Sequence, residues 1–185
     1  MIKVAILASY NGSGFDALYQ ASKNLGITIP LIISNNSNAN VLQKAKKYNI
    51  DHYIINANQY NNPDEEIEKR LLQYECDSIF LSGYMKKISP KLTKKFKFIN
   101  SHPALLPKYG GKGMYGRFVH EAVIQNHETI SGVTIHEVNE NLDEGKIIYQ
   151  ESLTLQGDET VISLEEKIKK LEKKAIVEGF KICLK

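Results

Sequence analysis

The chain has 185 residues, 42% of them hydrophobic, which is enough for one substantial core. Its 24 basic and 21 acidic side chains leave a net charge of only +3, and the lysines are scattered or lie near glutamates, a pattern typical of a solvated surface and not of a nucleic-acid-binding stripe. The two cysteines, Cys76 and Cys183, lack CxxC spacing, which argues against a disulfide framework or a zinc site and favours a reducing cytoplasm.

Short apolar runs that alternate with helical patterns predict a parallel α/β sheet. The runs lie at 2–8, 29–33, 52–55 and 78–82. Between them, apolar residues recur at helical spacing within 41–48, and Pro63 followed by three carboxylates marks a helix start. The first run is too short for a signal peptide, and no apolar run reaches the length of a membrane span.

The first predicted strand ends in Ser9-Tyr-Asn-Gly-Ser-Gly14 and leads into a helix near Phe15. Free N–H groups and the positive end of a helix dipole make this loop a candidate anion site. A nicotinamide dinucleotide site is not expected, because Ala17 replaces the third glycine and no acidic residue ends the second strand. A glycine turn that binds no ligand remains the alternative.

A basic segment at 86–97 predicts a short exposed helix, with RNA binding as the less favoured alternative. Asn100 and His102 follow at the end of a strand predicted over 96–100, and their spacing projects both side chains to the same side. A carboxamide N–H can stabilise an oxyanion, and an imidazole can exchange a proton near neutrality. The loop that continues to Gly116 is longer than ordinary connections, which is typical of a binding segment or lid.

Strands predicted at 132–138 and 146–155, joined by an acidic turn, indicate an antiparallel pair, and a last helix is predicted from about Thr160. Asp143 in the turn is either an ordinary turn residue or a carboxylate that orients His102. The distance between Asp143 and His102 in the sequence does not show whether their side chains meet in the fold. The other histidines have no comparable setting, and His136 is expected on one face of a strand.

The block Asn100-Ser-His-Pro-Ala-Leu-Leu-Pro-Lys-Tyr109, with Leu142-Asp143 and Asn11-Gly-Ser13, resembles the glycinamide ribonucleotide formyltransferase family, in order along the chain. The resemblance implies a Rossmann-like formyltransferase fold, with a mostly parallel twisted sheet, helices on both faces and an antiparallel C-terminal strand pair. It implies a single domain over 1–185, in which 1–100 is the phosphate- and nucleotide-binding half and 101–185 is the folate-binding and catalytic half.

Members of this family transfer a formyl group from 10-formyltetrahydrofolate, a co-substrate, to the amine of glycinamide ribonucleotide in purine biosynthesis, without a metal. The resemblance implies that Asn100 and His102 stabilise the tetrahedral oxyanion, while Asp143 holds His102 and moves protons through water. The implied ribonucleotide-binding residues are Asn11, Gly12, Ser13, Gly14, Lys169 and Glu172. The implied folate-binding residues are Met85, Lys86, Lys87, Ile88 and Asn100.

Three positions differ from some members of the family. Lys169 stands in place of a glutamine, Pro63 replaces an arginine near the folate tail, and the loop 110–116 is glycine-rich where many members have Gly-x-His-Thr-His. The resemblance also implies a cis peptide bond between Leu106 and Pro107.

Related enzymes and a binding protein are the rival interpretations. Methionyl-tRNA formyltransferase adds a C-terminal RNA-binding domain and formyltetrahydrofolate deformylase an N-terminal regulatory domain, and neither addition is expected here. Another sugar-nucleotide formyltransferase and a non-catalytic sugar-phosphate-binding protein are the remaining alternatives, although the latter would lose the three catalytic residues. We predict small-molecule substrates, no nucleic-acid or membrane partner, a cytoplasmic location, and a monomer or homodimer.

Overall fold

The computed structural model describes residues 1–184, which form eight strands and six helices. The strands are β1 (Ile2–Leu7), β2 (Ile27–Thr28), β3 (Leu31–Ser34), β4 (Asp51–Ile54), β5 (Ser78–Leu81), β6 (Lys97–His102), β7 (Ile130–Glu137) and β8 (Ile147–Thr154). The helices are α1 (Ser13–Leu25), α2 (Asn40–Lys47), α3 (Pro63–Gln73), α4 (Pro90–Lys95), α5 (Arg117–Gln125) and α6 (Val161–Cys183). The chain divides into two compact units, Met1–Ile99 and a second that begins at Asn100.

The first unit contains a parallel sheet in which β1 lies between β3 and β5, and β4 pairs with β3. Ile6 is opposite both Ile32 and Phe80 in the two neighbouring strands, and all three are fully buried. Strands buried on both faces explain the continuous apolar runs of the sequence. The predicted parallel α/β arrangement is therefore confirmed.

The first turns of α3 and α6 contain residues that commonly stabilise the N-terminus of a helix. α3 begins at Pro63, which lacks the N–H that a first turn cannot pair, and three carboxylates follow it at the positive end of the helix dipole. α6 begins with a capping box, in which Thr160 and Ser163 each accept a hydrogen bond from the backbone N–H of the other.

The second unit contains the antiparallel pair β7 and β8, as predicted. At Gly132 a Cβ atom would lie 2.2 Å from the backbone oxygen of Glu151, so only glycine permits this strand spacing. Gly179 of α6 similarly allows close contact with Ile135 of β7.

The helix α5 was not predicted from the sequence. The bond between Leu106 and Pro107 is cis, as the family resemblance implied. Among residues 1–184, no helix combines the length and apolar character needed to cross a membrane.

Glu159 holds the segment before α6 through its carboxylate. The carboxylate accepts hydrogen bonds from the N–H groups of Gln156 and Gly157 at 3.0–3.1 Å and pairs with Lys167 at 2.7 Å. Lys167, helped by these N–H groups, lowers the pKa of Glu159 from 4.5 to about 2. Because the folded state prefers the carboxylate, the contribution to stability is present above the unfolded pKa and is lost as pH falls through the folded value.

We therefore expect Glu159→Gln to lower the free energy of unfolding at neutral pH, and the difference from wild type to shrink as pH falls from about 4.5 to about 2. Denaturant unfolding at a series of pH values measures this. Glu140→Gln, at an exposed position, is the matched control. A difference that stays the same across this pH range would show that the charge of Glu159 is not what stabilises the segment.

Candidate active site

The loop after β1 has the geometry of an anion site within the first unit. Gly12 has φ of 59°, and a Cβ atom there would lie 2.7 Å from Val41, so the position requires glycine. α1 begins immediately afterwards at Ser13, which is exposed. The first-turn N–H groups of a helix lack helical acceptors and lie at its positive end, so this loop can receive an anion.

Lys44 of α2 supports this loop, a role that sequence reasoning missed. Its ammonium group donates to the backbone oxygen of Asn11 at 2.7 Å and pairs with Asp16 at 2.5 Å. The amide of Asn40 also donates to the Asn11 side-chain oxygen. Lys44 thus offsets the negative charge of Asp16 in the first turn of α1. In the sequence it is one of many lysines on a helix, so no local signal distinguishes it.

The predicted folate-binding segment lies beside this loop in the first unit. The N–H of Met85 donates to the Ser9 hydroxyl at 2.8 Å, and the N–H of Ser9 donates to the Gly83 oxygen at 3.1 Å. Met85, Lys86 and Lys87 are exposed, whereas Ile88 is buried. The segment 85–88 is therefore held at one end by the hydrogen bond from Met85 to Ser9 and at the other by the buried side chain of Ile88. The exposed side chains of Met85, Lys86 and Lys87 remain available to a ligand.

In the second unit the fold brings together the three predicted catalytic residues. The Nδ1 atom of His102, at the end of β6, lies 3.6 Å from Oδ2 of Asp143, in the loop between β7 and β8. Asn100 lies two residues before His102 on the same strand. His102 is buried, and the Asp143 side chain is 16% exposed, so this charge is only partly screened by water.

The position of Asp143 depends on its left-handed backbone conformation and on contacts that involve Gly111 and Gly145. It adopts φ of 59°, a left-handed conformation that aspartate tolerates better than most residues. The N–H of Gly111 donates to its Oδ2 atom at 2.9 Å. At Gly145 a Cβ atom would lie 1.7 Å from the Glu137 backbone oxygen, so only glycine allows the loop to return against β7.

Both ring nitrogens of His102 face oxygen acceptors. The Nε2 atom lies 2.6 Å from the backbone oxygen of Tyr109, and Nδ1 faces Asp143. A carbonyl oxygen can only accept a hydrogen bond, so Nε2 carries a proton. At 3.6 Å the Nδ1 atom is beyond hydrogen-bond distance of the Asp143 carboxylate, so the interaction between these two side chains is electrostatic.

His136 of β7 belongs to this cluster, although the sequence suggested only a residue on a strand face. Its Nε2 atom lies 3.1 Å from Nδ2 of Asn100 and 3.7 Å from Oδ1 of Asp143. Burial lowers the pKa of His136. The alternation of polar and apolar residues in a strand indicated a face, but only strand pairing could show which residues that face meets.

Lys169 and Glu172 both lie on α6 but have different partners. Glu172 accepts a hydrogen bond from the Ser101 hydroxyl at 2.6 Å, next to Asn100 and His102 in the chain, and burial raises its pKa. Lys169 pairs with Glu165 at 2.5 Å. The structure thus links Glu172, but not Lys169, to the strand that carries the predicted catalytic residues.

The cluster of Asn100, His102, His136 and Asp143 combines an amide donor, a carboxylate and two imidazoles in a largely buried setting. Such groups can stabilise an oxyanion and move protons. Within residues 1–184, no group of three or more acidic, histidine or cysteine side chains has an arrangement that could hold a metal ion.

Comparisons with known proteins agree with the sequence resemblance. The formyl transferase family model matches residues 2–180. Phosphoribosylglycinamide formyltransferase of Bacillus subtilis is 32% identical over 181 residues, which are 94% of this chain and 90% of that protein. The crystal structure of glycinamide ribonucleotide transformylase 1 from Geobacillus kaustophilus superimposes with a TM-score of 0.90 over the whole of both chains, at 28% identity.

A longer human protein, the trifunctional purine biosynthetic protein adenosine-3, is 33% identical over 179 residues. The match covers 93% of this chain but only 17% of the human protein. Similarity to that relative therefore concerns one segment of it.

Proposed function

Because this chain belongs to the formyl transferase family, we propose that it transfers a formyl group from 10-formyltetrahydrofolate to the amine of glycinamide ribonucleotide, a step of purine biosynthesis. The observation that carries the proposal is similarity to the Bacillus subtilis phosphoribosylglycinamide formyltransferase over 90% of that protein. The contact between His102 and Asp143 supports it independently, because spacing alone could not foretell that these residues meet.

In the proposed reaction the amine of the ribonucleotide attacks the formyl carbon of the folate. A carbon–nitrogen bond forms, and the carbonyl oxygen becomes an oxyanion. The bond from that carbon to the folate nitrogen then breaks. The attacking amine loses a proton, the departing folate nitrogen gains one, and the products are the formylated ribonucleotide and tetrahydrofolate.

The side chains of the second unit suit these charge changes. An N–H of Asn100 and the positive charge of a protonated His102 stabilise the oxyanion. Asp143 holds His102 and, through a water molecule, receives the proton of the amine and returns it to the folate nitrogen. The half-buried position of Asp143 allows water to reach it while limiting the screening of its charge.

The remaining predicted residues have binding roles. The substrate phosphate binds at Asn11, Gly12, Ser13 and Gly14, where the positive end of α1 complements it. Glu172 and Lys169 contact the ribonucleotide, and the pterin of the folate binds along 85–88. The enzyme works without a metal, in the cytoplasm, as a monomer or homodimer.

We expect the purified protein, in buffer with a chelator, to formylate glycinamide ribonucleotide with 10-formyltetrahydrofolate. The assay follows conversion of the folate with the ribonucleotide, with charged initiator tRNA, and with no acceptor. Rapid conversion only with the ribonucleotide is the expected result. Equal conversion without an acceptor would indicate a deformylase, and conversion only with tRNA would indicate a tRNA formyltransferase. Either outcome would overturn the proposal.

A further inference from the structure

The hydrogen bonds of His136 define the state of its ring. Its Nδ1 atom lies 2.9 Å from the backbone oxygen of Glu137, and its Nε2 atom lies 3.1 Å from Nδ2 of Asn100. The Glu137 oxygen can only accept, so Nδ1 carries the proton. In a neutral ring Nε2 then offers a lone pair, and the Asn100 amide donates to it.

Burial favours this neutral form. His136 is 1% exposed, and burial lowers its pKa, opposed by the Glu137 carbonyl and by the charge of Asp143. The titratable groups that act on the ring are Asp143 from the loop after β7 and His102 from β6. His102 reinforces the effect of burial, because a second positive charge nearby is unfavourable.

The hydrogen bond to His136 determines the orientation of the Asn100 amide, because it places the NH2 group, and not the oxygen, toward the imidazole ring. An amide NH2 group has two hydrogens, and only one is needed for Nε2. The second hydrogen can point toward another acceptor, while the amide oxygen is directed away from the ring. A protonated His136 would present a donor to the NH2 group and would favour the opposite orientation.

We propose that His136 is a positioning residue, which holds the Asn100 amide through a neutral Nε2 acceptor so that the second N–H can reach the formyl oxygen. The proposal rests on the proposed formyl transfer for the identity of that oxygen. The orientation of the amide itself rests only on the contacts of His136, and no contact between His136 and a substrate is required.

Two substitutions distinguish the hydrogen-bond acceptor that His136 provides from the space that its side chain fills. His136→Met fills the space without an acceptor, and we expect kcat to fall by about tenfold or more, because complete loss of an oxyanion donor costs about 10²–10³. KM should change little. His136→Gln keeps an oxygen that can accept from Asn100 and should recover most of the lost kcat. His127→Gln, at an exposed position, is the control.

A double-mutant cycle distinguishes positioning from a general structural role. If His136 acts through Asn100, His136→Met should have almost no further effect on kcat in an Asn100→Ala background. Effects that multiply in the double variant, or a Gln variant as slow as the Met variant, would overturn the proposal.

A readout without substrate separates this proposal from the proposed function. NMR of the ring nitrogens of His136 in the free protein should show a neutral ring protonated at Nδ1, with Asn100 amide signals that shift when His136 titrates. The same tautomer in an inactive wild-type protein would refute only the formyl transfer. A ring protonated at Nε2 would refute the positioning role whatever the activity.

Discussion

Asp143→Asn is expected to reduce kcat by on the order of 10² or more, the range that positioned general acid–base groups contribute. Asparagine preserves the size of the side chain and an oxygen that can accept from Gly111, but it removes the charge that faces His102 at 3.6 Å. It also removes the group that receives a proton from the amine. Substrate binding should change much less, because no predicted binding contact uses this carboxylate.

Single-turnover rates of wild type and variant measure this prediction, since they isolate the chemical step from product release. Asp158→Asn, at an exposed position, controls for the loss of one carboxylate. If the chemical step slows by less than about tenfold, equivalent to about 1.4 kcal/mol, Asp143 is only a turn residue and the catalytic set reduces to Asn100 and His102.

Ser13→Asp is expected to raise KM for the ribonucleotide on the order of 100-fold and to leave folate binding nearly unchanged. Ser13 is the exposed first residue of α1, so an aspartate there would place a carboxylate where the substrate phosphate is proposed to bind. Each hydrogen bond to a charged group is worth about 1.5–3 kcal/mol, and 1.4 kcal/mol corresponds to tenfold in affinity.

The substitution should not unfold the protein, because a carboxylate in the first turn of a helix is favourable. Ser13→Asn has nearly the same shape without the charge and is the matched control. Steady-state kinetics with the ribonucleotide varied, together with direct measurement of folate binding, give the result. An unchanged KM in Ser13→Asp would remove the phosphate from this loop.

Local patterns predicted much of the fold. The apolar runs that become β1, β3, β4 and β5, and the proline and carboxylates that begin α3, depend on nearest neighbours in the chain and were readable directly. α5 was not predicted because its start lacks the usual signals: Gly116 precedes it, no side chain caps it, and its first turn has no acidic residue.

The candidate site was predictable only in part. Asn100 and His102 were identified from their position at the end of a strand, but their contacts with Asp143 and His136 join residues more than 30 positions apart. Such contacts depend on the pairing of distant elements, which no local pattern encodes. Lys44 shows the same limit, because a lysine that holds a loop has no feature in the sequence that separates it from a solvated one.

Formyl transfer to the amine of the ribonucleotide is tested most directly by following the isotopically labelled formyl group of 10-formyltetrahydrofolate by NMR. With wild-type protein and glycinamide ribonucleotide present, the label should appear in the formyl amide of the ribonucleotide, in an amount equal to the tetrahydrofolate formed. Label released as formate at the same rate with and without the ribonucleotide would contradict the assignment of this chain as a formyl transferase that acts on glycinamide ribonucleotide.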